Sequence, residues 1–164
     1  MDKLTVDNDI FFHHAIELLK EGKNVTIPVR GYSMMPFIRN MRDSVILEGV
    51  EAGSPDITQR ITVKTGDIVL FRYKNRFLLH RIIMIRNGLA EIQGDGVVEA
   101  REYCRTDEIY GRVTAILRNG TRKVNPYSSL SIFKLALWNM FSPVRRYILA
   151  VMRRLPYFRD SGRH

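Results

Sequence analysis

The stretch IVLFRYKNRFLLHRIIMI, residues 68–85, decides the fold of this 164-residue chain. It contains two apolar runs rich in β-branched and aromatic residues, Ile68 to Tyr73 and Phe77 to Ile85, separated by the polar turn Lys74-Asn75-Arg76. Runs of this length, bounded by turn residues, are typical of β-strands. The stretch therefore predicts two strands, and helices in their place would overturn the fold prediction.

The same β-type pattern continues from Asn24 to about Val124. Asn87-Gly88 and Asn119-Gly120 suit the tight turns that need positive φ, so each pair predicts a hairpin. The polar segment from Glu48 to Thr65 is expected to be an irregular, mobile loop. The remaining predicted strands are Val25 to Val29, Val45 to Leu47, Ala90 to Gln93 and Ile109 to Leu117.

Helical spacing of apolar residues occurs on both sides of the β-region. One helix is expected from about Asp7 to Glu21, with Asp7 before the apolar positions and Gly22 as a left-handed cap. After Pro126 helical spacing returns, and Ser142-Pro143 is expected to split it into two helices. The apolar positions of this second region are Leu130, Phe133, Leu137, Phe141, Val144, Ile148, Val151 and Leu155.

These elements together predict a mainly β fold. We expect a bent β-sheet assembly that closes toward a small barrel, with one N-terminal helix, over residues 1–125. Residues 126–164 are expected to form a basic, amphipathic helical tail. A hydrophobic content of 45% is enough for a real core, so composition excludes a disordered chain.

The net charge of +9 belongs to the tail. Residues 1–117 hold 16 Lys+Arg and 16 Asp+Glu, whereas residues 118–164 hold 10 basic residues and one acid. The apolar stripe, Trp138, Tyr147 and paired arginines are typical of a helix that docks on an acidic protein or an anionic membrane surface. Alternatively, the stripe packs on the β-domain and the arginines are solvated. Nucleic acid is not expected, because no binding motif is recognisable.

The sequence favours a cytoplasmic protein, with peripheral attachment to a membrane as an option. No apolar stretch reaches the ~18 residues of a spanning helix, and the N-terminus lacks the basic-then-apolar order of a secretory signal. The single cysteine, Cys104, excludes an internal disulfide and a cysteine-rich metal site. We expect it to be a semi-buried, small apolar residue, and no cofactor or metal is implied.

A possible nucleophile lies in the segment Gly31-Tyr32-Ser33-Met34-Met35-Pro36. Proline disfavours helical backbone in the residue before it, and Gly31 lets the chain turn sharply. Ser33 should therefore stand at a bend, from which its hydroxyl could project as a nucleophile must. The alternative is a strand-ending turn in which the serine is a cap.

His80 is the second residue that could carry chemistry. It stands in an apolar run where another aliphatic residue would be expected. A histidine in a strand is commonly a hydrogen-bonded core residue, but a neutral imidazole can also take a hydroxyl proton at physiological pH. Composition and spacing leave both readings open.

Four motifs carry a resemblance to a known group of proteins, over about residues 25–117. In this order and spacing they resemble the clan of serine peptidases that contains type I signal peptidases and the self-cleaving SOS-response repressors. His80 followed by arginine is similar to the archaeal and endoplasmic-reticulum signal peptidases, whereas Gly31 is similar to the repressors. The motifs are Gly31-x-Ser33-Met34-x-Pro36, Gly66-Asp67-Ile68-Val69-Leu70-Phe71, His80-Arg81-Ile82-Ile83 and Gly94-Asp95-Gly96.

The resemblance implies roles for individual residues. Ser33 would be the nucleophile and His80 the general base, so we expect these two side chains to face each other. Asp95 matches the aspartate of the glycine-aspartate motif, but the further aspartate that orients the base in histidine-type members is missing. Asp95, Glu99 and Glu102 are therefore candidates for a third catalytic residue, in that order. The substrate cleft would include Gly31, Met34 and Pro36.

The leading functional hypothesis is a serine endopeptidase that cleaves a leader, signal-like or partner peptide. One alternative is a self-cleaving regulator of the repressor type, although the single helix expected before the first strand cannot supply a two-helix DNA-binding unit. The other alternative is a catalytically silent binding module with the same fold, which the missing aspartate favours.

Overall fold

The structure is a computed structural model, and it describes residues 3–50, 62–141 and 143–155, with side chains described from residue 9 onward. It is mainly an antiparallel β-sheet with three helices, so the mainly β prediction is confirmed. The elements are α1 (Lys3–Lys20), β1 (Val25–Pro28), β2 (Asp43–Gly49), β3 (Ile68–Tyr73), β4 (Arg76–Arg86), β5 (Leu89–Gln93), β6 (Glu102–Arg105), β7 (Ile109–Arg118), β8 (Arg122–Val124), α2 (Ser129–Met140) and α3 (Arg145–Arg154).

The stretch 68–85 forms the antiparallel hairpin of β3 and β4, which confirms both predicted strands. Tyr73 pairs with Arg76, so the turn consists of Lys74 and Asn75 alone, with φ values of 46° and 61°. Two successive residues with positive φ match the right-handed twist of the flanking strands. The hairpin is therefore tighter than the three-residue turn that the sequence predicts.

Both Asn-Gly turns are also confirmed. Asn87 and Gly88 have φ values of 49° and 76° and join β4 to β5, and Asn119 and Gly120, at 52° and 74°, join β7 to β8. The strand order in the sheet is β1-β2-β7-β3-β4-β5-β6, with β8 paired to β7. Local turn chemistry therefore sets three of the strand connections.

Two strand predictions are corrected by the structure. Strand β6 was not expected, because Glu102–Arg105 is short and polar. Strand β2 runs through Gly49, so Glu48 and Gly49 are not part of the predicted loop. A Cβ at position 49 would lie 2.2 Å from the Leu19 carbonyl oxygen, which explains the glycine there. The rest of the predicted loop includes residues 51–61, which lie outside the described residues.

Helix α1 begins at Lys3 rather than near Asp7, so Asp7 lies within the helix and does not precede it. The chain has no glycine or proline between residues 3 and 20, so no residue interrupts the helix between Lys3 and Asp7. The predicted cap is confirmed, since Gly22 has φ +76°. Its N–H donates to the Leu19 carbonyl at 3.0 Å, and the Lys23 N–H donates to that of Leu18 at 3.0 Å. This is the Schellman arrangement.

The chain divides into two compact units, and the predicted boundary at residues 125/126 lies inside the second. The first unit comprises Met1–Val25, Leu47–Gln93 and Arg101–Val113, and the second comprises Thr26–Ile46, Gly94–Ala100 and Thr114–His164. The core of the first unit contains Val63, Val69, Phe71, Ile82, Ala90, Ile92, Cys104 and Ile109.

Helices α2 and α3 pack in the second unit through Trp138 and Leu149, which are buried against Met35. The predicted split between two helices is confirmed, since α2 ends at Met140 and α3 begins at Arg145. Ile148 packs with this cluster and does not join the exposed stripe, because the cluster covers its side of α3. No helix among the described residues has both the length and the apolar character needed to cross a bilayer.

Candidate active site

The Ser33 turn follows β1 in the second unit. Gly31 has φ +95°, and its N–H donates to Asn40 Oδ1 at 2.9 Å. The Met35 N–H donates to the Tyr32 carbonyl at 3.2 Å, and the Met35-Pro36 peptide is cis. Ser33 therefore stands in a tight turn, which confirms the bend that the proline and glycine predict.

The glycine-aspartate motif packs directly against this turn. The Gly96 N–H donates to the Ser33 carbonyl oxygen at 2.7 Å. A Cβ at position 96 would lie 2.6 Å from the Tyr32 carbonyl oxygen and 3.0 Å from that of Met35. Only glycine allows so close an approach of two backbone segments. The first and fourth motifs are thus joined within the second unit.

Asp95 is buried beside this contact. Its backbone carbonyl accepts a hydrogen bond from Trp138 Nε1 at 2.9 Å. Arg145 lies with its guanidinium over the Trp138 ring, 5.4 Å from the ring centroid. Burial lowers the pKa of Arg145, and the charge of Asp95 opposes this shift. The Asp95 backbone thus links the glycine-aspartate motif to α2 within the second unit.

His80 lies on β4 in the first unit, with its Nδ1 3.2 Å from Oε2 of Glu102. The side chains of His80 and Glu102 are 5% and 12% exposed. The two residues come together because β4 and β6 both flank β5 in the sheet. A carboxylate oxygen can only accept, so a neutral imidazole donates its Nδ1–H to Glu102. The other nitrogen, Nε2, is then the one that can accept a proton.

The second and third motifs meet in the same unit. Arg81 donates from Nη1 to the Gly66 carbonyl oxygen at 2.7 Å, and the Gly66 N–H donates to the Ile82 carbonyl at 2.8 Å. The buried Asp67 carboxylate accepts from the Lys64 N–H at 2.9 Å. Asp67 is therefore a turn residue before β3. Arg81 ties the histidine-bearing strand to that turn.

The three carboxylates proposed as a third catalytic residue have different surroundings. Glu99 is on the surface, where its side chain is 79% exposed and forms an ion pair with Arg146 at 3.0 Å. Asp95 belongs to the second unit and is associated with Arg145. Glu102 lies beside the imidazole. The geometry therefore favours Glu102, which the sequence placed last of the three.

The sequence ranks Glu102 last of the three because a glutamate there is more commonly a solvated surface residue, and it does not predict β6, which carries Glu102. The sequence signal for this strand is weak, since Tyr103 is a β-forming residue but the alternation of burial along Glu102–Arg105 is seen only in the structure. Ile92 on β5 pairs with Glu102, which fixes the register of the carboxylate. An alternation over four residues is too short to stand out in a sequence.

The expected cleft residues lie close together in the chain but differ in exposure. Gly31 is exposed and Pro36 is half-buried. Met34 is 2% exposed, which corresponds to a core methionine. Contact of Met34 with a substrate, and the expectation that Ser33 faces His80, both stay predictions.

The described part of the chain contains no group of three or more His, Cys, Asp or Glu side chains that could hold a metal ion. Cys104 is buried in the core of the first unit. Burial raises the pKa of its thiol to about 12, and the carboxylates of Glu108 and Asp107 add to the shift. A thiol with so high a pKa stays protonated at neutral pH and is therefore a poor nucleophile.

Comparison with known proteins adds no assignment. No protein-family model matches this chain, and no curated protein matches it significantly. A function is therefore inferred from the residues and their geometry.

Proposed function

We propose that this protein is a serine endopeptidase in which Ser33 is the nucleophile, His80 the general base and Glu102 the carboxylate that orients the base. The observation that carries the proposal is the 3.2 Å contact between His80 Nδ1 and Glu102 Oε2. Placing an imidazole and a carboxylate together where both are largely shielded from water is costly, and such a pair is a common device for holding a catalytic base.

The proposed reaction follows from the tautomer that Glu102 selects. His80 accepts the Ser33 hydroxyl proton at Nε2 while the serine oxygen attacks a peptide carbonyl. The Glu102 carboxylate stabilises the imidazolium, which then protonates the departing amine and releases it. Water, deprotonated by the same imidazole, hydrolyses the acyl-enzyme and restores Ser33.

The tetrahedral intermediate also needs hydrogen-bond donors for its oxyanion. Gly31 carries no side chain that could serve, so backbone N–H groups near Ser33 are assigned this role. One such donor contributes about 2.7 to 4 kcal/mol to transition-state stabilisation. The hydrogen bond from the Gly96 N–H to the Ser33 carbonyl helps to hold the turn in a fixed conformation.

The proposal also includes the architecture that the resemblance implies and the cytoplasmic setting that the sequence favours. The sheet would be the bent assembly of the signal peptidase and SOS-repressor clan, and the protein would act in the cytoplasm on a leader, signal-like or partner peptide. The joining of the four motifs in pairs, one pair in each unit, supports this assignment.

A peptide library analysed by mass spectrometry tests the activity on many candidate substrates at once. We expect the wild-type protein to cleave a subset of peptides, and Ser33→Ala to cleave none while keeping the wild-type melting temperature. Because the base must be neutral, cleavage should decline at acid pH. Cleavage that persists in Ser33→Ala contradicts the mechanism. A wild-type protein that cleaves nothing contradicts the proposal and favours a silent binding module.

A further inference from the structure

We propose that the exposed apolar side of α2 and α3 docks on an anionic membrane surface. This surface, here called the apolar face, consists of eight residues that follow one another at three- and four-residue steps, and it is independent of the proposed peptidase activity. Its members are between 43 and 66% exposed: Leu130, Phe133, Leu137, Phe141, Val144, Tyr147, Val151 and Leu155.

Each of the two helices has residues outside the apolar face that are already packed. Trp138 and Leu149 are buried against Met35, and Arg145 donates from Nη2 to Asn139 Oδ1 at 2.9 Å, which links the start of α3 to the end of α2. Steps of three and four residues place side chains on one side of a helix. These contacts hold the two helices, and the apolar face is left toward solvent, as are Ile132 and Met140 elsewhere on α2.

The positive charge around the apolar face indicates which kind of partner it binds. Residues 118–155 contain eight Lys+Arg and no Asp or Glu. Lys134 on α2 and Arg154 on α3 are exposed, as is Arg146, whose charge is paired with that of Glu99. A second copy of the chain would bring like charges together, and nucleic acid offers no apolar layer for the face to enter. An anionic bilayer surface provides both negative charge and an apolar layer.

The dimensions of the helices agree with a position in the interface. Helices α2 and α3 contain 12 and 10 residues. At 1.5 Å per residue they are about 18 and 15 Å long, against about 30 Å for the hydrocarbon core of a bilayer. Neither helix can span the bilayer, but each can lie along its surface with one side immersed.

Sedimentation of the full chain with vesicles tests the proposal. We expect the protein to pellet with vesicles of phosphatidylcholine and phosphatidylglycerol, to stay in solution with phosphatidylcholine alone, and to be released as salt is raised. The double variant Leu130→Ser, Leu155→Ser should bind anionic vesicles at least about tenfold more weakly, because two apolar side chains no longer enter the bilayer.

Matched control variants distinguish the contribution of the apolar face from that of exposed apolar residues and charges elsewhere on the protein. Ile10 and Leu89 lie in the first unit and are 65 and 47% exposed, close to the 63 and 45% of Leu130 and Leu155. The variant Ile10→Ser, Leu89→Ser should bind like wild type. Reversing two charges should weaken binding in Lys134→Glu, Arg154→Glu but much less in Lys20→Glu, Arg86→Glu. Melting curves confirm that each variant is folded.

Several outcomes would overturn the proposal. Equal binding to neutral and anionic vesicles would show that negative charge does not attract the protein. An equal loss of binding in Leu130→Ser, Leu155→Ser and in Ile10→Ser, Leu89→Ser would show that the apolar face is not the binding surface. No vesicle binding together with a concentration-dependent dimer that the Leu130→Ser, Leu155→Ser variant abolishes would assign the face to a second copy. If the protein does not bind vesicles but is retained on an anionic polymer, its positive charges bind without any contribution from the apolar face.

Discussion

The environment of His80 explains why its residue type alone was ambiguous. A buried imidazole needs a hydrogen-bond partner whether its role is structural or catalytic. Glu102 meets that need, and its charge also stabilises the protonated base that a serine peptidase forms during turnover. The two roles differ in what the charge contributes, so a change that keeps the shape and removes the charge distinguishes them.

Glu102→Gln is that change. We expect cleavage to fall by about 10²- to 10⁴-fold, because the amide cannot stabilise the imidazolium and need not select the productive tautomer. The melting temperature should change little, since glutamine can still hydrogen bond to Nδ1. Library peptides cleaved by wild type provide the rate measurement.

Glu99→Gln is the matched control for Glu102→Gln. It removes the same charge from an exposed side chain that pairs with Arg146 at the surface. Surface ion pairs contribute little, so its cleavage rate should stay within about twofold of wild type. Equal rates in the two variants would exclude Glu102 from the catalytic machinery.

Cys104 should be inert in the native protein. Burial raises the pKa of its thiol to about 12 from an ordinary value of 9.0. The folded state then holds the thiol proton more tightly than the unfolded state does. The thiol therefore contributes stability below pH 9 that is lost as the pH rises from 9 toward 12. Iodoacetamide at pH 8 should leave the folded protein unlabelled and label it fully in guanidinium chloride, and rapid labelling of folded protein would contradict this.

At the level of elements, α3 has two apolar sides with different surroundings. Leu149 is buried against Met35 and Trp138, whereas Val151 is exposed. The sequence contains both residues at helical spacing, and nothing in their chemistry indicates which has a partner. Packing in the second unit makes one of them a core residue and leaves the other on the apolar face.

Alanine substitutions on α3 should separate its two sides. Leu149→Ala is expected to lower the free energy of unfolding by about 2 to 5 kcal/mol, because it leaves a cavity beside Met35 and Trp138. Val151→Ala, on the exposed side, should change it by less than about 0.5 kcal/mol. Urea denaturation of both variants provides the comparison. Similar values for the two would mean that α3 does not pack through Leu149.

At the level of the whole molecule, the helical tail is part of a compact unit as well as a charged surface. Residues from the Ser33 turn, the glycine-aspartate motif and the two C-terminal helices belong to the same unit. Trp138 joins them through its hydrogen bond to the Asp95 carbonyl. Part of the tail therefore packs on the rest of its unit, as one of the two alternatives predicts, while docking of its exposed residues on a partner or membrane stays a prediction.

Removal of residues 127–164 should consequently destabilise the protein. The truncation uncovers Met35 and leaves the Asp95 carbonyl without its bond from Trp138, so we expect a lower melting temperature and aggregation on gel filtration. A truncation after Leu155 keeps these contacts and is the control. A fully folded, monomeric 1–126 fragment with the wild-type melting temperature would show that α2 and α3 do not stabilise the second unit.

The parts of the fold that could be read from sequence are those governed by neighbouring residues. Positive φ at Asn87-Gly88 and Asn119-Gly120 depends on side chains within the turn, and the Gly22 cap depends on the residue that can adopt that backbone. The same holds for the β-type stretch 68–85 and for the confinement of net charge to residues 118–164. Each of these features is local or compositional.

Contacts between residues far apart in the sequence determine the features that could not be predicted from it. Strand β6 is four residues long and is stabilised by pairing with β5, so neither the strand nor the contact between Glu102 and His80 follows from local propensity. The buried side of α2 and α3 depends on Met35, about a hundred positions earlier in the chain. Periodicity identifies the apolar stripes of a helix, but burial requires a partner surface, and only the folded chain supplies one.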